Sequence, residues 1–376
     1  MSTKSNPRFS PAFNSVHYTT AIVLQKSLQL YRDAYSGHSR EVWILTALTL
    51  INRMGTMVVP FLSVYLSTVK GFSLEQAGYL MGAFGLGSLG GSFLGGKLSD
   101  WIGAKYVMIG SLLIGGCFLI SLQWADSFLE FFVMIMATSF FGDAFRPSFM
   151  AYIGDFVSKD QTARTMALIR LAINLGMSLS PVVGGLLATS WGYHWLFWID
   201  GSTCVLAALF FIAASWSWPQ RQTKAINDAS GEAFREAALP PYRNRAYLLF
   251  LLSTFLMGFC LIQWFYTVPV FLKTDWGYDE SVIGLLMGLS CVVISLVEMP
   301  IIHTLEARSQ MKLSITLGLI CMFCSFIPLL FMGSMWLAVL AILAFTFGEI
   351  FYLPFNNAIP SNTRTYTPHD CSHYWH

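Results

Sequence analysis

Ten times along its length the chain runs for about twenty residues or more with hardly a charge, the length needed to cross the roughly 30 Å hydrocarbon core of a bilayer as a helix. These segments lie at 42–66, 76–96, 104–124, 127–151, 165–189, 193–216, 246–271, 280–303, 312–332 and 335–357, and they constrain the fold more than any other feature. They are too long for the core helices of a soluble domain. Composition agrees: of 376 residues, 55% are hydrophobic and only 11% charged, where soluble domains carry about 25% charged. The expected class is an all-α polytopic membrane protein. A net charge of +2 gives no polybasic surface and no case for nucleic acid.

Lysine and arginine fix an orientation. With the N-terminus in the cytoplasm, the tail, the even-to-odd loops (counting Lys105 and Lys312 at the span ends beside them), the linker and the C-terminal tail hold 17 of them, the opposite loops hold two (Lys70 and Lys273), and three (Arg53, Arg146 and Arg170) lie deeper within spans, which sums to the 22 present. The positive-inside rule therefore places the N-terminus in the cytoplasm, and a plasma or inner membrane is expected. The chain divides into a tail (1–41), six spans (42–216), a polar cytoplasmic linker (217–245), four spans (246–357) and a polar tail (358–376). No cleavable signal peptide is visible in the mixed, polar first 41 residues. Six of the seven cysteines lie inside spans and give no disulfide framework, and the Cys321-x-x-Cys324 pair reads as small-residue packing.

An internal duplication underlies the pattern. "FGDAFRPSF" begins at Phe141 and "FGEIFYLPF" at Phe347; "GFSLEQAGYLMG" begins at Gly71 and "GYDESVIGLLMG" at Gly277. Both pairs are separated by 206 residues (347 − 141 and 277 − 71), and the same offset carries Asp100 onto Glu306. Gly78, Leu80, Met81 and Gly82 recur as Gly284, Leu286, Met287 and Gly288. Six spans per unit is even, so the halves enter the membrane the same way up, a parallel repeat about an axis along the membrane normal. That register expects copies of spans five and six past residue 376, so the sequence reads as ten of twelve helices, with a truncated or frame-shifted C-terminus expected and a genuine ten-span protein as the alternative.

These residues resemble the major facilitator superfamily over nearly the whole chain. The loop "GGKLSDWIGAKY" is similar to that family's signature between helices two and three: Gly96, Leu98, Asp100, Gly103 and Lys105 fit, and Trp101 replaces the usual first arginine. The resemblance implies two six-helix bundles, the second incomplete here. It also implies a cytoplasmic gating loop of Gly96, Asp100, Gly103 and Lys105, with its duplicate around Glu306 and Arg308. In span five, "GMSLSPVVGG" resembles the antiporter motif of the drug–proton exchangers through Gly176, Pro181, Gly184 and Gly185, with Ser180 where a glycine is usual. Small residues there let helices approach closely in lipid, and Pro181 is placed to bend the helix. The arginine those exchangers carry early in helix four is missing; Arg146 lies about two turns later.

A charge within a span costs about 2.5–3.5 kcal/mol unless it is paired or faces water. Arg53, Asp143, Arg146, Arg170, Asp200, Glu298 and Glu349 are such charges. Asp143 and Arg146, three apart, can pair. Arg53 has no acid on its own helix, so Asp143 or Glu349 is its expected partner. The resemblance implies that helices one, four, seven and ten line the cavity, which selects Arg53, Asp143, Arg146 and Glu349, with Gln263 and Tyr266 from span seven and Tyr352 from span ten. Arg170 and Glu298 read as contacts between helices on the gate side. Asp200 reads as a cap or a packing residue. An acid that is dehydrated and then opened to water can carry a proton.

The expected function is a proton-coupled secondary transporter exporting small amphipathic compounds, a monomer whose partners are its substrate, protons and the bilayer. Uptake symport of a small polar solute is the alternative within that class. A transport-inactive truncated product or membrane scaffold is the alternative outside it. No catalytic constellation, metal site or cofactor motif is visible, so no enzyme activity is expected.

Overall fold

A computed structural model of the chain describes residues 38–154, 156–157, 162–216, 218, 245–307, 311–331 and 333–363. Most of the expected tails and linker, Arg308, and the Glu306 side chain lie outside the described residues.

The described residues are almost entirely helical. Span one is two helices, α1 (Arg40–Gly55) and α2 (Val58–Val64), the latter continued by a π-helical turn, Tyr65–Val69. Then come α3 (Leu74–Ile102), α4 (Ala104–Ser121), α5 (Phe128–Gly154), α6 (Thr162–Ser190) and α7 (His194–Ala214). The second half supplies α8 (Arg245–Thr274), α9 (Glu280–Ala307), α10 (Met311–Cys324) and α11 (Met335–Thr363). Among the described residues nine helical segments are long and apolar enough to cross a membrane. The expected second span, α3, is long at 29 residues. Its eight glycines dilute its hydropathy, and they have a packing reason.

That reason is close approach. A Cβ at Gly87 would lie 2.2 Å from the Met136 carbonyl oxygen, one at Gly91 2.0 Å from that of Phe140, and one at Gly95 2.7 Å from the Ala144 Cα. Helices α3 and α5 thus touch backbone to backbone, as packing in lipid favours. Ser99 Oγ donates to Ser148 Oγ at 2.7 Å on the same seam.

The duplication is visible bond for bond. Gly71 and Gly277 both take positive φ, 73° and 70°, the left-handed conformation that glycine adopts without strain. Phe72 N–H donates to the Leu66 carbonyl, and Tyr278 N–H to that of Leu272, each at 3.0 Å. Every residue in the second bond is 206 beyond its mate in the first. The helix pairs repeat too: α3 packs on α5 and α4 on α5, as α9 packs on α11 and α10 on α11.

The most extensive contact between the halves is α6 on α9. It runs antiparallel along both helices. A Cβ at Gly185 would lie 2.2 Å from the Glu280 carbonyl oxygen, one at Gly284 2.1 Å from that of Pro181, and one at Gly288 3.0 Å from that of Ser178. Further along, Arg170 and Glu298 form an ion pair.

Candidate transport site

The site begins with the interruption of span one. Pro60 has no N–H to give the carbonyl of Thr56, four residues back, and its ring crowds that carbonyl, so a helix running through Thr56 cannot continue. The break falls at Thr56–Met57, and Pro60 is left in the first turn of α2, where proline is tolerated. A break in lipid frees backbone groups that must find partners. Asp200 of α7 supplies them: one carboxylate oxygen accepts the N–H groups of both Met57 and Val58 at 3.0 Å. Asp200 is 4% exposed. The acid that the sequence left between capping and packing is a cap, and it caps a different helix from its own.

The two ends at the break carry opposite partial charges, and each meets a side chain of the opposite sign. Asp200 sits on the positive N-terminal end of α2. Arg53 sits in the last turn of α1, beside its negative C-terminal end. Thr56 Oγ1 donates to the Asn52 carbonyl at 3.2 Å and meets one of the freed acceptors.

The small residues of α6 hold this break. A Cβ at Gly176 would lie 2.5 Å from the Arg53 Cβ, and one at Gly184 3.1 Å from the Met57 Cβ. Ser180 between them is 2% exposed. Pro181 and Gly185 face the other way, onto α9. One helix therefore clasps the broken span of its own half with one face and the second half with another.

Two of the expected pairings are absent. Among the described residues Arg53 makes no ion pair, and its Nε is buried without a hydrogen-bond partner. The acids within electrostatic reach of it are Asp143 and Asp200, and Glu349 is not among them. Nor do Asp143 and Arg146 pair: Asp143 is half-buried and Arg146 exposed. Spacing of three permits such a pair but stabilises it by only about 0.2–0.5 kcal/mol, too little to dictate side-chain direction.

Glu349 in α11 is half-buried and makes no ion pair or hydrogen bond among the described residues. The cation in its electrostatic reach is Arg170. Arg170 thus pairs with Glu298, joining α6 to α9 across the halves, and lies within electrostatic reach of Glu349 on α11.

Tyr266 accepts a bond from Ser63 of α2 on its carbonyl at 2.8 Å and lies in electrostatic reach of Asp143. Gln263 accepts from Thr267. Both line a groove of about 730 Å³ between the first half of α3 and the second half of α8. Tyr352 is buried, its backbone against Gly318 of α10. Trp264, beside Gln263 on α8, is a packing residue: its ring stacks on Phe345 at 4.8 Å and its N–H donates to Ser325.

In the gating loop, Gly103 has φ 94°, and its N–H donates to Ser99 to end α3. Lys105 Nζ donates to the Ser215 carbonyl at 2.5 Å, tying α4 to the end of α7. Gly96 faces Pro147 at ordinary contact distance. Asp100 is exposed, with no ion pair among the described residues.

Sequence reasoning missed a clasp at the opposite end of the molecule. Buried Glu280 accepts from Tyr193 at 2.7 Å and from Lys273 at 3.1 Å, and Ser281 N–H donates to Thr189 at 3.2 Å. Burial and the neighbouring carboxylate push the Tyr193 hydroxyl well above the usual tyrosine range, so it stays a donor. Among the described residues, no group of three or more His, Cys, Asp and Glu side chains is arranged to hold a metal ion.

Residues 42–367 match the sequence model of the Major Facilitator Superfamily. The chain belongs to that superfamily. Among its relatives is an uncharacterised MFS-type transporter of Bacillus subtilis, YqjV, 24% identical over 82% of this chain and 75% of that protein. Another is the multidrug resistance protein MdtH of Aeromonas salmonicida, 29% identical over 46% of this chain and 42% of that one. In three dimensions it is similar to a peptide transporter of the POT family, with TM-score 0.69, 17% identity, and 85% of this chain and 81% of that chain covered. The major facilitator fold accounts for the two halves. The protein is a multi-pass membrane transporter of a small molecule, with the relatives and fold of transporters, not enzymes.

Proposed function

We propose that the protein is a proton-coupled exporter of small amphipathic compounds, a monomer of the plasma or inner membrane with its N-terminus in the cytoplasm. The two bundles, 42–216 and 246–357, rock about the α6–α9 contact to open the site to alternate sides. The observation that carries the reading is the position of Glu349. An unpartnered carboxylate at mid-membrane is costly, and taking up a proton removes that cost. When Glu349 gives the proton to water, its charge competes with Glu298 for Arg170 and weakens the ion pair between α6 and α9. When it takes one up, Arg170 returns to Glu298. A proton gradient so drives the interface through its two states, and each elementary charge moved down 100 mV supplies about 2.3 kcal/mol.

Support for export comes from the resemblance of the α6 motif to that of the drug–proton exchangers and from relatives named for multidrug resistance. The test is flux of a fluorescent amphipathic dye into inside-out vesicles. Accumulation that needs an acid-inside gradient and collapses with a protonophore supports the reading. Accumulation of a small peptide or sugar in right-side-out vesicles, with no dye flux, replaces it with uptake symport.

A further inference from the structure

Arg53 is a cation within a span that no acid of the chain neutralises. It makes no ion pair among the described residues, and its Nε is buried without a hydrogen-bond partner. Such a charge is costly in a membrane unless a side chain, water or a ligand meets it. Asp200 is spent on the start of α2, where one oxygen accepts two N–H groups. The root of Arg53 is fixed, because a Cβ at Gly176 would lie 2.5 Å from its own Cβ. What Arg53 faces is set by α5. That helix turns Phe140 and Ala144 to Gly91 and Gly95 of α3, and Phe141 and Gly142 to Phe118 and Gly115 of α4. Asp143, Arg146 and Met150, at spacings of three and four, hold its remaining face. Asp143 is half-buried there, and Arg146 and Met150 are exposed. Helix α1 packs on α6 and α7, and α5 on α3 and α4, yet Arg53 lies in electrostatic reach of both Asp143 and Arg146. The side chain therefore reaches toward the open face of α5, across a space that neither packing fills. Two arginines meet one free carboxylate in that space, which leaves one positive charge unanswered.

We propose that Arg53 and Arg146 bind the carboxylate of the transported compound, so that the substrates are amphipathic organic monoanions. The inference rests on the transport reading above for its ligand, but not on proton coupling or on direction. The unused Nε of Arg53 sets the shape of the acceptor. A carboxylate meets a guanidinium side-on with two oxygens, one on Nε and one on the adjacent Nη. A single negative charge matches the excess. A cationic head group in the same place would set like charge beside two arginines, and a neutral one would leave the excess unmet.

The test measures binding to the 376-residue chain in lipid nanodiscs by energy transfer from its 12 tryptophans, with empty nanodiscs as the blank. The probes are pyrenebutyrate, pyrenebutanol and pyrenebutylamine, one apolar body with an anionic, a neutral and a cationic head. Pyrenebutyrate should bind at least about tenfold more tightly than the other two. Arg53→Gln should abolish that preference and leave pyrenebutanol binding as it was. Arg53→Lys keeps the charge without the planar fork and should retain only part of the preference. Because Arg53→Gln removes an unpaired cation, it should unfold no earlier than wild type. If it fails to fold, Arg146→Gln, at an exposed position, should still lower pyrenebutyrate affinity severalfold and spare the alcohol. Equal binding of the three probes, or an acid preference that survives these substitutions, would overturn the proposal. An acid preference lost with Arg53, in a protein that shows no gradient-driven flux, would support the site and overturn proton-coupled export instead.

Discussion

Replacing Asp200 with alanine removes the acceptor from both N–H groups at the start of α2. The two bonds, each 3.0 Å, are made to a carboxylate that is 4% exposed. A hydrogen bond to a charged group contributes about 1.5–3 kcal/mol. Losing two gives roughly 3–6 kcal/mol, and water reaching the break would recover part, so Asp200→Ala should cost about 3–5 kcal/mol. Asp200→Asn keeps an oxygen acceptor of the same size and loses the attraction between a negative charge and the helix end, about 0.5–2 kcal/mol. The order should be wild type, then Asn, then Ala. The assay is unfolding in mixed micelles followed by tryptophan fluorescence, with 12 tryptophans as reporters. If Ala and Asn both unfold within about 0.5 kcal/mol of wild type, the carboxylate does not hold the broken span and the account of the break is wrong.

Gly176→Leu drives a side chain into the Arg53 Cβ and carbonyl carbon, 2.5 and 2.9 Å from the position of its own Cβ. Backbone cannot yield as a side chain can, so folded yield by size-exclusion chromatography should fall severalfold, while the same change at Gly82 should leave it unchanged. Arg170→Gln strands Glu298, whose side chain is 6% exposed, at a cost of roughly 3 kcal/mol in the same unfolding assay. Adding Glu298→Gln should recover most of that loss, and failure to recover would show that the ion pair does not join α6 to α9.

Much of this fold was legible because lipid demands long apolar helices and because the chain states half its plan twice. The 206-residue offset pairs Gly71 with Gly277, and in the structure both take positive φ. The break in span one was missed because hydropathy runs on through it unchanged. The signal was Pro60, whose effect falls on the carbonyl four residues earlier. Charged residues could be located within spans, but their partners could not, because helix spacing constrains neighbours on one helix and says nothing of those on another. So Arg53 was expected to meet Asp143 or Glu349 in an ion pair and instead lies by the end of its own half-helix, while the cation in electrostatic reach of Glu349 is Arg170. Glu280 escaped notice because it stands at a helix start, where an exposed acid is ordinary; only the fold brings Tyr193 and Lys273 onto it.

The most direct test of coupling is Glu349→Gln in proteoliposomes, with two readings on one preparation. Glutamine keeps the size and hydrogen-bonding atoms of the acid and cannot release a proton. Flux driven by a pH gradient should fall to the level of empty liposomes, while counterflow exchange of labelled for unlabelled substrate continues at a wild-type rate. Gradient-driven flux that persists in Glu349→Gln would contradict the claim that this carboxyl carries the coupling proton.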